Sequence, residues 1–190
     1  GHPRPRLSAW RGALPLNLRA VLWLLGCVSL ILAGFLLVPA AVALYFGEMD
    51  GVRSCLLSAG VSTGVGGALL WWNRGSRLTS EGRPDYFRRE GLAVVGLVWI
   101  VIGLIGALPY LFSGIVESPV DALFESVSGF TTTGSTILPG ADIDLFHTSQ
   151  KGIGFWRSFT HWLGGFGIVM VFVVLFPTGG RSLFRSEIPG

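Results

Sequence analysis

Four long apolar runs decide what this chain can fold into. They cover Leu18 to Phe46, Cys55 to Trp72, Gly91 to Phe112 and Phe155 to Phe176. Each is near or above the roughly 18 residues that cross the hydrocarbon core of a bilayer as a helix. Lipid cannot satisfy free backbone N–H and C=O groups, so each span must be helical. Charged residues make up only 13% of the 190 residues against 51% hydrophobic. Soluble domains carry about twice that share of charge. A mean hydropathy of +0.62 agrees. The first run is longer than the apolar core of a secretory signal, so it reads as a span.

The charges between the runs give an orientation. Arg4, Arg6 and Arg11 precede the first run and Arg19 stands at its very start, Arg74, Arg77, Arg83, Arg88 and Arg89 lie between the second and third, and Arg181 and Arg185 follow the fourth. Arg53, Lys151 and Arg157 fall on the opposite side. The positive-inside rule then puts both termini in the cytoplasm. Glu48, Asp50, Glu117, Asp121, Glu125, Asp142 and Asp144 fall on the outer side, where an acidic surface concentrates cations. The basic residues sit in loops between apolar runs, so they point to topology and not to nucleic-acid binding. Trp71, Trp72, Tyr110, Trp156 and Trp162 lie near run ends, where interfacial anchors belong. Cys27 and Cys55 show no metal or CxxC spacing and read as small apolar residues.

Residues 113–154, on the outer side, are more than a connection. Ser118-Pro119-Val120-Asp121 is a helix start, with Ser at the cap and Pro in the first turn. Val120, Leu123, Phe124 and Val127 follow at helical spacing, and the helix should stop near Ser128-Gly129. Ten to twelve residues are too few to cross a bilayer, so a re-entrant helix is expected. Then comes Gly129-Phe-Thr-Thr-Thr-Gly-Ser-Thr136, small, polar and without apolar period. Non-helical backbone survives at membrane depth only where it is buried in protein or lines water. A short helix followed by such a stretch fits a selectivity filter, in which backbone carbonyls replace an ion's hydration shell. Gly134 can take the positive φ that aiming carbonyls inward requires. Glu125, an ionisable residue at this depth, is a functional candidate by default; it would either bond the filter backbone from behind or sit in an outer vestibule.

Two longer stretches carry a family resemblance. Asp121-Ala-Leu-Phe-Glu-Ser-Val-Ser-Gly-Phe-Thr-Thr-Thr-Gly-Ser-Thr136 and Trp156-Arg-Ser-Phe-Thr-His-Trp-Leu-Gly-Gly-Phe-Gly-Ile168 resemble the TrkH members of the Trk/Ktr/HKT potassium transporter family. Leu183-Phe-Arg-Ser-Glu-Ile-Pro-Gly190 is similar to that family's link into a second repeat. The resemblance implies four membrane–pore–membrane repeats around one pore, a homodimer, a cytoplasmic nucleotide-binding regulator of the TrkA kind, and a bacterial inner membrane. It implies a first filter strand of Thr132, Thr133, Gly134, Ser135 and Thr136, with potassium held by Thr132, Thr133 and Gly134. Gly129, Thr131, Glu125 and His161 become candidates for filter support. His161 stands where the family is expected to have Gln. Only one repeat is present, so a fragment or an incomplete gene is expected.

The expected fold is thus an all-α membrane protein with four transmembrane helices, a re-entrant pore helix and a filter loop. Residues 1–90 form an N-terminal helix pair with its cytoplasmic arm and loop, 91–178 the membrane–pore–membrane repeat, and 179–190 the link. The expected function is potassium uptake, with K+ as the transported ion, no organic cofactor, membrane lipid as surroundings and no nucleic acid. Two alternatives stay open. One is a homotetrameric cation channel with one repeat per chain. The other is an intramembrane hydrolase using Ser158 or Ser135 with His161, which lacks any Gly-x-Ser-x-Gly or HExxH signature. Gly164-Gly165-Phe166-Gly167 suits close packing behind the filter, and Arg157 and His161, four apart, are read first as interface anchors and second as facing the back of the filter.

Overall fold

Small residues dictate how the first two helices meet. A computed structural model describes residues 18–73, 84–138 and 150–175. Within them α1 (Leu18–Tyr45) and α2 (Met49–Trp72) form a hairpin with the most extensive interface in the chain. Gly26 and Gly66 lie back to back; a Cβ on Gly66 would stand 2.9 Å from the Gly26 carbonyl oxygen. With no side chains between them the backbones approach closely, the packing that membranes favour where no hydrophobic drive exists between helices. Ser62 donates to the Ser29 carbonyl at 2.7 Å, so a buried hydroxyl adds a bond across the same seam. Cys55 is fully buried and Cys27 half-buried, and both are free thiols that serve as packing atoms.

The chain continues through α3 (Pro84–Phe112), α4 (Pro119–Phe130) and α5 (Lys151–Leu175). Every described element is helical. The helices begin earlier than the apolar runs: α2 takes in Met49–Ser54 and α3 takes in Pro84–Glu90. A helix continues past its apolar stretch because backbone bonding does not need lipid, and Pro84 is a favoured first residue. Three helices, over Val21–Tyr45, Met49–Trp72 and Val95–Phe112, are long and apolar enough to cross a membrane. The fourth expected span, α5, is 25 residues long but does not join them among the described residues. Its first half carries Lys151, Arg157 and His161, and its apolar density rises only from Ile168 onward.

One end of the bundle is fixed by a carboxylate. Glu48, in the turn between α1 and α2, accepts the backbone N–H of Lys151 on one oxygen at 2.8 Å and that of Gly152 on the other at 2.9 Å. The first N–H groups of a helix have no partner inside it, and its N-terminus carries partial positive charge. Glu48 answers both needs for α5 from a residue far away in sequence. The α1–α2 turn, the end of α3 and the starts of α4 and α5 therefore gather at one end.

From that end α4 runs inward between α3 and α5. Ser118 has the extended backbone of a cap residue, φ −90° and ψ 128°, yet its hydroxyl makes no capping bond; Pro119 at the first turn and the Ala122 N–H bond to the Ser118 carbonyl, 3.0 Å, start the helix instead. The apolar spacing predicted a helix but not its orientation. Ala122, Glu125, Ser126, Ser128, Gly129 and Phe130 are buried, while Val120, Phe124 and Val127 are exposed. The small and polar face of α4 meets the bundle and the apolar face looks outward. Such inversion suits a helix surrounded by lipid or by further protein, where water does not sort the faces.

The aromatic anchors divide. Trp71, Trp72 and Trp162 are exposed, but Tyr110 and Trp156 are fully buried. Trp156 donates its indole N–H to the Gly106 carbonyl at 3.0 Å and meets Phe130 edge-on at 6.2 Å. A Trp near the end of an apolar run looks like a belt residue in sequence; here a short helix alongside covers it.

Candidate functional site

Phe130, the last residue of α4, sets the depth of the site. Its backbone lies against Gly164, near the midpoint of the 25 residues of α5; any Cβ on Gly164 would overlap the Phe130 carbonyl. Gly129 is held in the same way against Thr160, whose side chain occupies the space of a Cβ there. The end of α4 thus sits half-way along a helix of spanning length. From Thr131 the chain turns and climbs back. The Ser128 hydroxyl donates to the Ser135 carbonyl at 2.6 Å. One turn nearer the start of α4, Glu125 Oε1 accepts the Thr136 hydroxyl and the Ile137 N–H, both at 2.6 Å. Residues 131–137 are exposed.

The backbone direction in this stretch follows from its amides. The N–H of Thr132 bonds the Gly129 carbonyl at 2.9 Å, and those of Thr133 and Gly134 bond the Ser128 carbonyl at 3.0 and 3.4 Å. All described peptides are trans. In a trans peptide the carbonyl points opposite to the next N–H, so the carbonyls of Thr131, Thr132 and Thr133 point away from α4. Two residues take positive φ, Thr132 at 58° and Gly134 at 77°. The first is costly for a β-branched side chain, and such strain collects where function demands a fixed backbone. Thr131 helps to hold it: its hydroxyl reaches the Val127 carbonyl at 2.7 Å and the Thr133 hydroxyl at 2.8 Å.

Two of the four carbonyls from Thr132 to Ser135 are gripped from inside, Ser135 by Ser128 and Gly134 by an Arg157 guanidinium N–H at 3.3 Å. A carbonyl oxygen has two lone pairs, so each retains one. Arg157 also lies 3.5 Å from Glu125 Oε2. Glu125 is 1% exposed, which removes the vestibule alternative. Arg157 and His161, read first as interface anchors, are both partly buried beside the loop. His161 Nδ1 lies 2.8 Å from the Arg157 carbonyl, so Nδ1 is the donor, and Nε2 comes within 3.7 Å of where a Gly134 Cβ would stand. Both residues back the loop.

A family model for TrkH, described as a cation transport protein, matches residues 53–187. The chain belongs to the TrkH family. It is 37% identical over 182 residues to the Trk system potassium uptake protein TrkH of Escherichia coli K12, covering 92% of this chain and 35% of that one. It is 35% identical over 180 residues to the protein of the same name in Halomonas elongata, with 92% and 35% covered. An uncharacterized cation transporter of Methanocaldococcus jannaschii is 32% identical, with 90% and 34% covered. The chain spans about a third of the length of these relatives. No solved structure matches it.

Within this TrkH chain, reading the sequence alone put Arg157 behind the loop only as a second choice, and it missed Ser128 as a contact of the loop and Thr160 as the residue packed on Gly129. Arg157 had a signal, as a basic residue inside an apolar run. Thr160 and Ser128 had none. No group of three or more His, Cys, Asp or Glu able to hold a metal occurs among the described residues. Of the residues weighed for a hydrolase, Ser158 donates to the Gly154 carbonyl at 3.4 Å and His161 Nδ1 to the Arg157 carbonyl at 2.8 Å.

Proposed function

We propose that this chain is the pore-forming part of a potassium uptake channel or transporter and that residues 132–135 line the ion path. The observation that carries the reading is the reversal at Thr131. A short helix ends half-way along α5, and the chain returns beside it as exposed, irregular backbone. At such a depth that backbone needs protein or water around it, and a water-filled path on its open face meets the need. The outward carbonyls of Thr132 and Thr133 would be the leading K+ ligands. Gly134 and Ser135 would add their second lone pairs, and Thr136 would close the strand through its bond to Glu125. The C-terminal end of α4 adds partial negative charge just below, which favours a cation there.

In this reading α1, α2, α3 and α5 cross the membrane, α4 is re-entrant, and the Arg-rich segments stay cytoplasmic. Residues 1–90 are the helix pair, 91–178 one membrane–pore–membrane repeat, and 179–190 a link to further repeats. A complete pore needs several such repeats, which accords with relatives about three times as long as this chain. The remaining proposals are a homodimer of the full gene product, a nucleotide-binding regulator in the cytoplasm, and a bacterial inner membrane.

The test is rubidium uptake by the full gene product in cells lacking their own potassium uptake, with sodium as competitor. Gly134→Ser forces a side chain onto φ 77° beside His161. Discrimination against sodium should fall or uptake should cease, with the protein still in the membrane. Unchanged uptake and discrimination would remove the loop from the ion path.

A further inference from the structure

The buried ion pair behind the loop goes beyond simple support. Glu125 and Arg157 stand on different helices, and their side chains are 1% and 14% exposed. Between them they hold the loop at two places. Arg157 grips the Gly134 carbonyl at 3.3 Å, and Glu125 grips Thr136 and Ile137 at 2.6 Å each. The 3.5 Å contact between the two joins these grips into one brace. A cation beside a pore for cations is electrostatically unfavourable unless neutralised, and burial raises the cost of leaving it unpaired. An apolar side chain could pack behind the loop as well as Arg157 does. Only a donor can fix the direction of a carbonyl.

We infer that Arg157 is a positioning residue for ion selection: it fixes the Gly134 carbonyl, and Glu125 neutralises it so that its charge does not oppose cation entry. The inference rests on the filter reading above. Two consequences follow from the geometry. The guanidinium donates to Gly134 through Nη2 while Nε faces Glu125, a fork that the single ammonium of Lys does not reproduce. Arg157→Lys therefore keeps the charge and loses the aim. Glu125→Gln keeps an acceptor for Thr136 and Ile137 but removes the counter-charge that Glu125 supplies to Arg157 beside the path.

The experiment measures rubidium uptake by the full gene product in cells lacking their own potassium uptake. Half-saturation and competition by sodium are read separately, each at matched membrane abundance. Arg157→Lys and Arg157→Gln should cut discrimination against sodium by about tenfold, the scale of one lost charge-assisted hydrogen bond. Glu125→Gln should raise the half-saturating rubidium concentration by about tenfold. The Glu125→Gln/Arg157→Gln double variant should bring half-saturation back toward wild type while discrimination stays poor. A role in folding alone would change abundance without this split.

Unchanged discrimination in both Arg157 variants, with Gly134→Ser shifting it, overturns the inference and leaves the filter reading standing. If Gly134→Ser also shifts nothing, the filter reading fails and the inference with it. Should the single Arg157 variants not reach the membrane, the double variant decides on the same discrimination readout. Failure of all three to reach the membrane overturns the inference in favour of a purely structural role.

Discussion

At Gly164 the backbone of one helix touches the end of another, and no larger residue fits. Gly164→Ala would drive a methyl group into the Phe130 carbonyl, and overpacking of this kind costs about 1–3 kcal/mol or more. A Cβ on the neighbouring Gly165 would meet only the Thr132 methyl, at 3.9 Å, so Gly165→Ala should be tolerated. Thermal unfolding of the purified full gene product in detergent would show a clear drop for the first and little change for the second. The Gly-Gly-Phe-Gly stretch was legible as close packing, but not which glycine carries it. That depends on the register between α4 and α5, set by a loop that sequence periodicity does not describe. Gly134 was legible for the opposite reason: its requirement is local, a positive φ that its own chemistry announces. Arg157 behind the loop was legible only as a second choice, because its contacts, Glu125 and Gly134, lie 32 and 23 positions away in the chain.

Among the elements, α5 depends on a cap it does not own. Glu48 satisfies the N–H groups of Lys151 and Gly152 across 103 and 104 positions of sequence. Glu48→Ala should cost about 1 kcal/mol for the lost cap, with part of the helix-end charge term added. Glu48→Gln should recover some of the bonding and none of the charge. The check is the unfolding temperature of the three proteins in detergent, which should rank Glu above Gln above Ala; equal values would mean that the cap is idle. The starting residues of α4 were plain from Ser118-Pro119. Its orientation was not, because the stripe of Val120, Phe124 and Val127 faces outward. In water such a stripe would mark the buried side. In a membrane, or beside further repeats, burial inside this chain falls to the small and polar face instead. The same shift explains Tyr110 and Trp156, aromatic residues at run ends that α4 covers.

Across the whole molecule the distribution of charge sets sidedness. In the proposed topology the Arg-rich segments are cytoplasmic and the α3–α4 connection is outside. Trp72, 89% exposed at the end of α2, and Glu117, ahead of α4, should then lie on opposite faces. In the full gene product with Cys27, Cys55 and any further cysteine changed to Ala, Glu117→Cys should react with a membrane-impermeant thiol reagent in intact cells and Trp72→Cys only after lysis. The reverse pattern would invert the topology. The all-helical class, the order of the helices and the end of α4 near Thr131 could be read from sequence, because apolar length and turn chemistry are local; of the four expected spans, three are long and apolar enough among the described residues. The brace behind the loop could not, since it exists only once α4 and α5 lie side by side.

If residues 132–135 line a path for potassium, a thiol placed among them should stand in the way of the ion. Thr133→Cys in the full gene product, with all its other cysteines replaced, puts one there. Rubidium uptake is then followed during exposure to a small positively charged thiol reagent from outside. Modification should stop uptake, and potassium in the medium should slow the modification, because ion and reagent compete for one place. Modification that leaves rubidium uptake intact would mean that the ion passes elsewhere.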